Sequence, residues 1–293
     1  MNNVKSSIEE SSTPQPATRV PMHRDEAEPP PPLPVIRKVP NDAPIQWLKK
    51  GWSDFVNTRF QGAFYGLVFV LMGYAIAWVY ATKWQLTMGL IGGFFLMGPF
   101  LCSGIYDLSR QYEREGKASL IKSLTCWLRN PGSLAFFAII LTFAMIVWAR
   151  VSLILFALTS NTSFPTVQGV LQQIFSLQNP QFLLIWGGVG FVFASIVFAI
   201  GVIAAPMMLD RASDTLASVF SSVRSVHANP KAMYVWAALI VVVIGLSLAA
   251  GFIPLLITAP IIGHATWHAY RDLMEAQPDT HPDTDNANGK SAA

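Results

Sequence analysis

The chain alternates long stretches without charge and short segments crowded with it. Phe60 to Ala81 contains no Asp, Glu, Lys or Arg. A helix crosses the hydrocarbon core of a bilayer with about 20 apolar residues. Within lipid, only helices and closed barrels satisfy their own backbone groups. These runs are helical in length, so they predict an all-α polytopic membrane protein. Composition points the same way, because 13% of residues are charged, against about 25% in soluble domains.

Six apolar runs, at 60–81, 86–105, 134–158, 182–205, 233–248 and 253–270, predict six transmembrane helices within a membrane domain over 45–273. Only Ala249 to Phe252 separate the last two. One helix over 233–270 would measure about 57 Å at 1.5 Å per residue, far beyond a core of about 30 Å, so two short spans fit better than one kinked element. The second run is rich in glycine at Gly89, Gly92, Gly93 and Gly98, which suits close helix packing in lipid. Arg150 falls near the outer end of the third run, where its stem can snorkel to the interface.

Outside the runs, residues 1–44 are polar and proline-rich, with a tetraproline at Pro29 to Pro32. They are expected to form a disordered tail; a docking strip for a partner's aromatic groove is the functional alternative. Residues 274–293 are expected to form a second disordered tail. The uncharged stretch 159–180 suggests a short helix skimming the outer surface, through Val167, Val170, Leu171, Ile174 and Leu177. No signal peptide is expected, because the first apolar run starts near Phe60. Cys102 and Cys126 form no CxxC or metal spacing.

Of the 20 Lys and Arg residues, only Lys83 and Arg150 lie outside the segments assigned to one side. Positive residues favour the cytoplasmic side. Six crossings with both termini cytoplasmic satisfy that bias, and the expected location is the cytoplasmic (inner) membrane.

The charged segments hold amphipathic helices. Ile45, Leu48, Trp52, Phe55 and Val56 recur at helical spacing, with Lys49, Lys50 and Asp54 opposite. Ala118 to Pro131 aligns without a gap to Ala217 to Pro230, with identity at the Ala, two Ser, Asn and Pro positions. The unit reads as surface helix, span, span, and occurs three times in one orientation. Each pair of spans ends near a small residue plus proline: Gly98-Pro99, Ala205-Pro206 and Ala259-Pro260. Four residues past each proline stand Ser103, Asp210 and His264; eight past stand Asp107, Asp214 and His268. These offsets share a helix face. If the units pack round one axis, the six converge at the cytoplasmic mouth as a polar cluster. Carboxylate and imidazole together could hold a metal or relay protons. Alternatively, they are polar residues where helices leave the bilayer. His264 and His268 alone supply too few ligands for zinc. No catalytic, cofactor-binding or metal motif is present, and no cofactor is expected.

Four stretches, WLKKGWSDF (47–55), FYGLVFVLMGY (64–74), GFFLMGPFLCSGIYDLSRQYEREG (93–116) and PIIGHATWHAYRDLM (260–274), resemble a bacterial family of integral membrane proteins, domain of unknown function 2189. The resemblance covers roughly residues 33–275. It implies a multi-pass membrane protein and assigns no catalytic residues. Some relatives carry a cytochrome c oxidase label, but such a catalytic subunit needs about six histidines for its haem and copper sites. Here only His264 and His268 lie near a span.

The leading expectation is a non-enzymatic scaffold, assembly or accessory protein. Its expected partners are the lipid bilayer and another membrane protein or complex, with no nucleic acid. A small transporter or channel built on parallel repeats is the alternative, and a metal- or haem-linked redox role comes third.

Overall fold

The computed structural model describes residues 34–83, 87–159 and 180–275. Most of the expected N-terminal tail, the outer helix within 160–179 and the C-terminal tail beyond 275 lie outside the described residues. The described chain is helical: α1 (Ala43–Asn57), α2 (Arg59–Lys83), α3 (Thr87–Glu115), α4 (Leu120–Leu124), a 3-10 turn at Cys126–Arg129, α5 (Pro131–Thr159), α6 (Pro180–Gly201), α7 (Ala204–Arg211), α8 (Thr215–Ala228), α9 (Pro230–Ala249) and α10 (Leu255–Leu273).

Proline and single polar residues set the joints. Asn130 and Asn229 leave helical geometry, with φ −149° and −132°, because the residue before a proline is pushed out of the helical region. Pro131 and Pro230 then open α5 and α9 at the first helical position, where a missing N–H costs nothing. Thr58 makes the same one-residue joint between α1 and α2. A fourth break separates α6 from α7. Pro206 cannot donate to the carbonyl of Val202 and its ring crowds it. The backbone opens there, and the Ile203 N–H donates instead to Ser222 Oγ at 3.1 Å.

Four helical stretches among the described residues are long and apolar enough to cross a membrane: Arg59–Thr82, Pro131–Thr159, Pro180–Arg211 and Pro230–Ala249. The expected spans 86–105 and 253–270 fall on α3 and α10, which are not among these four. Both are apolar at their start and polar at their end. From His264 onward, α10 carries His268, Arg271 and Asp272, and it is enclosed by protein rather than left to lipid.

α10 is the packing centre. It meets α1, α2, α3, α7 and α9. Trp267, Tyr270 and Leu273 are buried in one cluster with Trp47, Leu134, Met208, Met233 and Trp236. The Trp47 and Trp236 rings meet edge to face at 5.8 Å, and Trp47 Nε1 donates to Asp272 at 2.8 Å. Close approach is made by glycine. A Cβ on Gly51 of α1 would lie 2.7 Å from the Ile261 carbonyl, and one on Gly66 of α2 would lie 2.1 Å from the Leu256 carbonyl.

The surface helices turn their apolar stripes outward. Ile45, Trp52 and Val56 are exposed while Trp47, Gly51, Asp54 and Phe55 are buried. In α8, Leu216, Phe220 and Val223 are exposed and Ser218, Ser221, Ser222 and Ser225 are buried. In α8 small polar residues therefore face the protein, whereas α1 also buries the large side chains of Trp47 and Phe55.

Residues 34–42, the last part of the expected N-terminal tail, are tied to the opposite end of the chain. Arg37 N donates to the Leu273 carbonyl at 2.8 Å, and Glu275 N to the Val35 carbonyl at 3.2 Å. Ile36 and Met274 form an antiparallel bridge. Asn229 clamps the segment, accepting from Val39 N at 2.9 Å and donating to the Arg37 carbonyl at 3.0 Å. Asn229→Ala removes both bonds, and two bonds at about 1 kcal/mol each correspond to roughly a tenfold or greater gain in local opening. Trypsin cleavage after Arg37 and Lys38, timed on the folded protein in detergent, is expected to accelerate by that factor.

Candidate polar site at the helix exits

Two polar clusters form where α3, α7 and α10 meet. The first is buried between α1, α3 and α10. Asp54 Oδ2 accepts from Ser109 Oγ at 2.7 Å and from His268 Nε2 at 2.9 Å. Ser109 Oγ also lies 2.7 Å from His264 Nδ1. If Ser109 gives its proton to Asp54, His264 must carry its own on Nδ1 and donate to the serine oxygen, an assignment made from the network. His264 Nε2 then faces Thr58 Oγ1 at 3.4 Å. Asp54, Ser109 and His264 are buried, and His268 is partly exposed. Burial works to raise the Asp54 carboxyl pKa. The hydrogen bonds from His268 and Ser109, with the charge of His268, outweigh burial and hold it below its ordinary value.

The residue types are those of a nucleophilic triad, but the connectivity is not. A triad places the carboxylate on the imidazole that activates the serine. Here the carboxylate receives the serine proton directly, so the oxygen is not made nucleophilic. Its burial also keeps substrate away.

The second cluster is ionic. Asp210 of α7 accepts from Arg110 Nε at 3.0 Å, Arg114 Nη2 at 3.3 Å and the Tyr270 hydroxyl at 2.8 Å. Arg211 Nε donates to that hydroxyl at 2.9 Å. Asp107 is fully buried and accepts from Arg129 Nη1 and Gln111 Nε2, each at 2.6 Å; Arg110 Nη1 stands 3.6 Å away. Glu113 accepts from Trp267 Nε1 at 3.1 Å and from Arg271 Nη2 at 3.1 Å. Cys126 lies beside Asp107, and burial pushes its thiol up to about 12, with the Asp107 charge adding to the effect. Such a thiol is protonated and unreactive at neutral pH.

The six residues singled out from the sequence divide among these environments. Arg110 links Asp107 to Asp210. His264 and His268 meet at Ser109 and Asp54. Ser103 bonds within its own helix, to the Pro99 carbonyl at 2.6 Å. Asp214 is exposed and caps α8, accepting from Ala217 N at 2.9 Å. Sequence reasoning missed Asp54, Ser109 and the arginines. Asp54 looked solvated because it lies opposite the apolar stripe of α1, yet that opposite side is the buried one. Its place one turn past Gly51 was the available signal.

Asp107→Ala leaves Arg129 without its acceptor and takes one acceptor from Arg110 and Gln111, and is expected to cost about 3 kcal/mol, as for a broken buried pair. Asp214→Ala removes one helix cap, at about 1 kcal/mol. Unfolding of the two variants in detergent separates them, although both sit at the same offset from a proline.

Among the described residues, no group of three or more His, Cys, Asp and Glu side chains is arranged to hold a metal ion. An apolar cavity of about 700 Å³ lies between α2, α3, α9 and α10, lined by residues such as Phe69, Ile105, Ile244, Phe252 and Ile262. The polar clusters do not open into it.

No curated protein and no solved structure matches the chain. Residues 86–210 match a family model, a narrower stretch than the resemblance read from the sequence. They run from the start of α3 through α7 and include Asp107, Arg129 and Asp210. The match agrees with the four apolar helices, and the model that residues 86–210 match is described as "Predicted integral membrane protein (DUF2189)".

Proposed function

We propose that the protein is a non-enzymatic scaffold, assembly or accessory protein of the cytoplasmic membrane. In this reading, three like units, each a surface helix and two spans, make six crossings with both termini cytoplasmic. The arrangement draws support from the register of the surface helices. With Gly51, Ser123 and Ser222 in one position, Asp54, Cys126 and Ser225 share another, and all six are buried. Further support comes from bonds joining each unit to the segment leading into the next. Gln61 donates to the Ala118 carbonyl at 3.0 Å, Asn130 to the Ser213 carbonyl at 2.8 Å and Asn229 to the Arg37 carbonyl at 3.0 Å.

The observation that carries the functional reading is the commitment of the polar groups to one another. Asp54, Asp107, Asp210, His264 and His268 each have partners within the chain. Buried charge satisfied in this way fixes how helices meet, and mutual pairing leaves little capacity to bind a solute. Crosslinking in native membranes tests the reading. A discrete complex with a membrane protein that co-purifies in fixed ratio is expected; a chain that always runs alone overturns it.

The alternative, a small transporter, rests on the apolar cavity. Its lining suits an apolar molecule rather than an ion, so this reading requires uptake of an apolar solute in proteoliposomes. A redox role requires visible absorption or bound metal in the purified protein.

A further inference from the structure

The outward faces of the three surface helices repeat position by position. In the register set by Gly51, Ser123 and Ser222, the first exposed position holds Ile45, Leu216 and, in the non-helical residues just ahead of α4, Lys117. The next holds Lys49, Ile121 and Phe220, then Trp52, Leu124 and Val223, then Val56, Leu128 and His227. All twelve are exposed. Each face thus carries three apolar side chains and one Lys or His. Ile121 is 78% exposed and Phe220 60%, values that would be costly in water on helices otherwise well packed.

These faces lie next to the bilayer by construction. Thr58, Asn130 and Asn229 are the only residues between each surface segment and Arg59–Thr82, Pro131–Thr159 and Pro230–Ala249, three of the candidate spans. A one-residue joint leaves the apolar stripe at the level where the span enters lipid. Phe60, 80% exposed, continues the stripe of α1 onto α2. Lys49, expected from the sequence to lie opposite the stripe, instead sits within it between Ile45 and Trp52, the arrangement in which an aliphatic stem lies on hydrocarbon and the ammonium reaches a headgroup.

We propose that α1, α4 with its 3-10 turn, and α8 form an interfacial collar that seats in one leaflet and binds anionic phospholipid headgroups through Lys49 and Lys117. The proposal rests on the membrane placement of the spans and not on the scaffold reading.

The test uses the full chain in vesicles of phosphatidylcholine with a minority of phosphatidylglycerol. Bimane is attached at Ile121→Cys or Phe220→Cys, with Lys38→Cys as the aqueous reference. The unsubstituted chain, carrying Cys102 and Cys126, sets the background. Iodide quenching at 121 and 220 is expected to fall well below that at 38, and lipids with a nitroxide near the headgroup should quench both strongly. Nitroxide on phosphatidylglycerol should quench the label at 121 more than nitroxide on phosphatidylcholine, by roughly fivefold for a nearby cation. Lys49→Gln with Lys117→Gln should abolish that preference while leaving the iodide protection. Matching elution profiles and unfolding temperatures in detergent confirm that the variants fold. Iodide access equal to that at 38 overturns the collar. So does shielding from both iodide and lipid, which would place protein on these faces. Equal quenching by the two lipids overturns the headgroup preference.

Discussion

Gly66→Ala is expected to destabilise the protein by about 3 kcal/mol, the upper part of the range for overpacking, and Gly66→Leu to prevent accumulation of the folded form. The added Cβ would stand 2.1 Å from the Leu256 oxygen and 2.6 Å from its carbonyl carbon. Both are backbone atoms, so no rotamer change relieves the clash; α2 and α10 must separate. The contact has a chemical reason. Pro260 lies four residues after Leu256 and has no N–H, so it leaves that carbonyl without its helical donor. With no side chain on Gly66, its backbone comes close to that oxygen, the kind of approach in which Cα–H···O contacts recur between helices. The loss should appear although alanine is the better helix former by nearly 1 kcal/mol. Gly93 is the control: nothing lies within 4 Å of its Cβ position, and Gly93→Ala should be neutral or stabilising. Unfolding in detergent, followed by circular dichroism and by retention of a monodisperse elution peak, measures both.

Asp54→Ala is expected to cost about 3 kcal/mol, because it strands a buried serine and a histidine together. Asp54→Asn should cost less, since its oxygen still accepts one of the two bonds. The pair also gives a pH signature. The folded carboxyl has a lowered pKa. Its contribution is therefore fully present above the unfolded-state value and fades as pH falls through the lower folded value. The stability gap between wild type and Asp54→Asn should hold steady from neutral pH to about pH 5 and narrow below about pH 4. A gap that instead widened as pH fell from 7 to 6 would assign the effect to a histidine charged beside Asp54.

The sequence made the helices and their joints legible because local chemistry decides them. Asn130-Pro131 and Asn229-Pro230 end one helix and start the next wherever they occur. The exit residues were only partly legible. A constant offset from proline found Asp107, Asp210, His264 and His268, because a helix face is periodic. It could not tell that Asp214 lies beyond the end of α7, where Ala212 adopts φ +49° and the periodicity stops. Asp54 and Ser109 were hidden for another reason. Next to a bilayer an apolar stripe is free to face outward, so a polar residue opposite it is as apt to be buried as solvated. α10 has an apolar start, and its second half packs among α1, α3 and α7, contacts that its own sequence does not announce.

The bridge between Ile36 and Met274 bears on chain order. At the other two junctions between proposed units, α3 to α4 and α7 to α8, the peptide itself continues; here two strand-like ends pair instead. Joining Glu275 to Pro34 through a short linker, without residues 1–33 and 276–293, and opening the chain between Gly116 and Lys117, in an exposed turn, would preserve every described helix. Such a permutant would begin on α4 and end on α3, and its insertion would reveal whether the membrane reads the units as interchangeable.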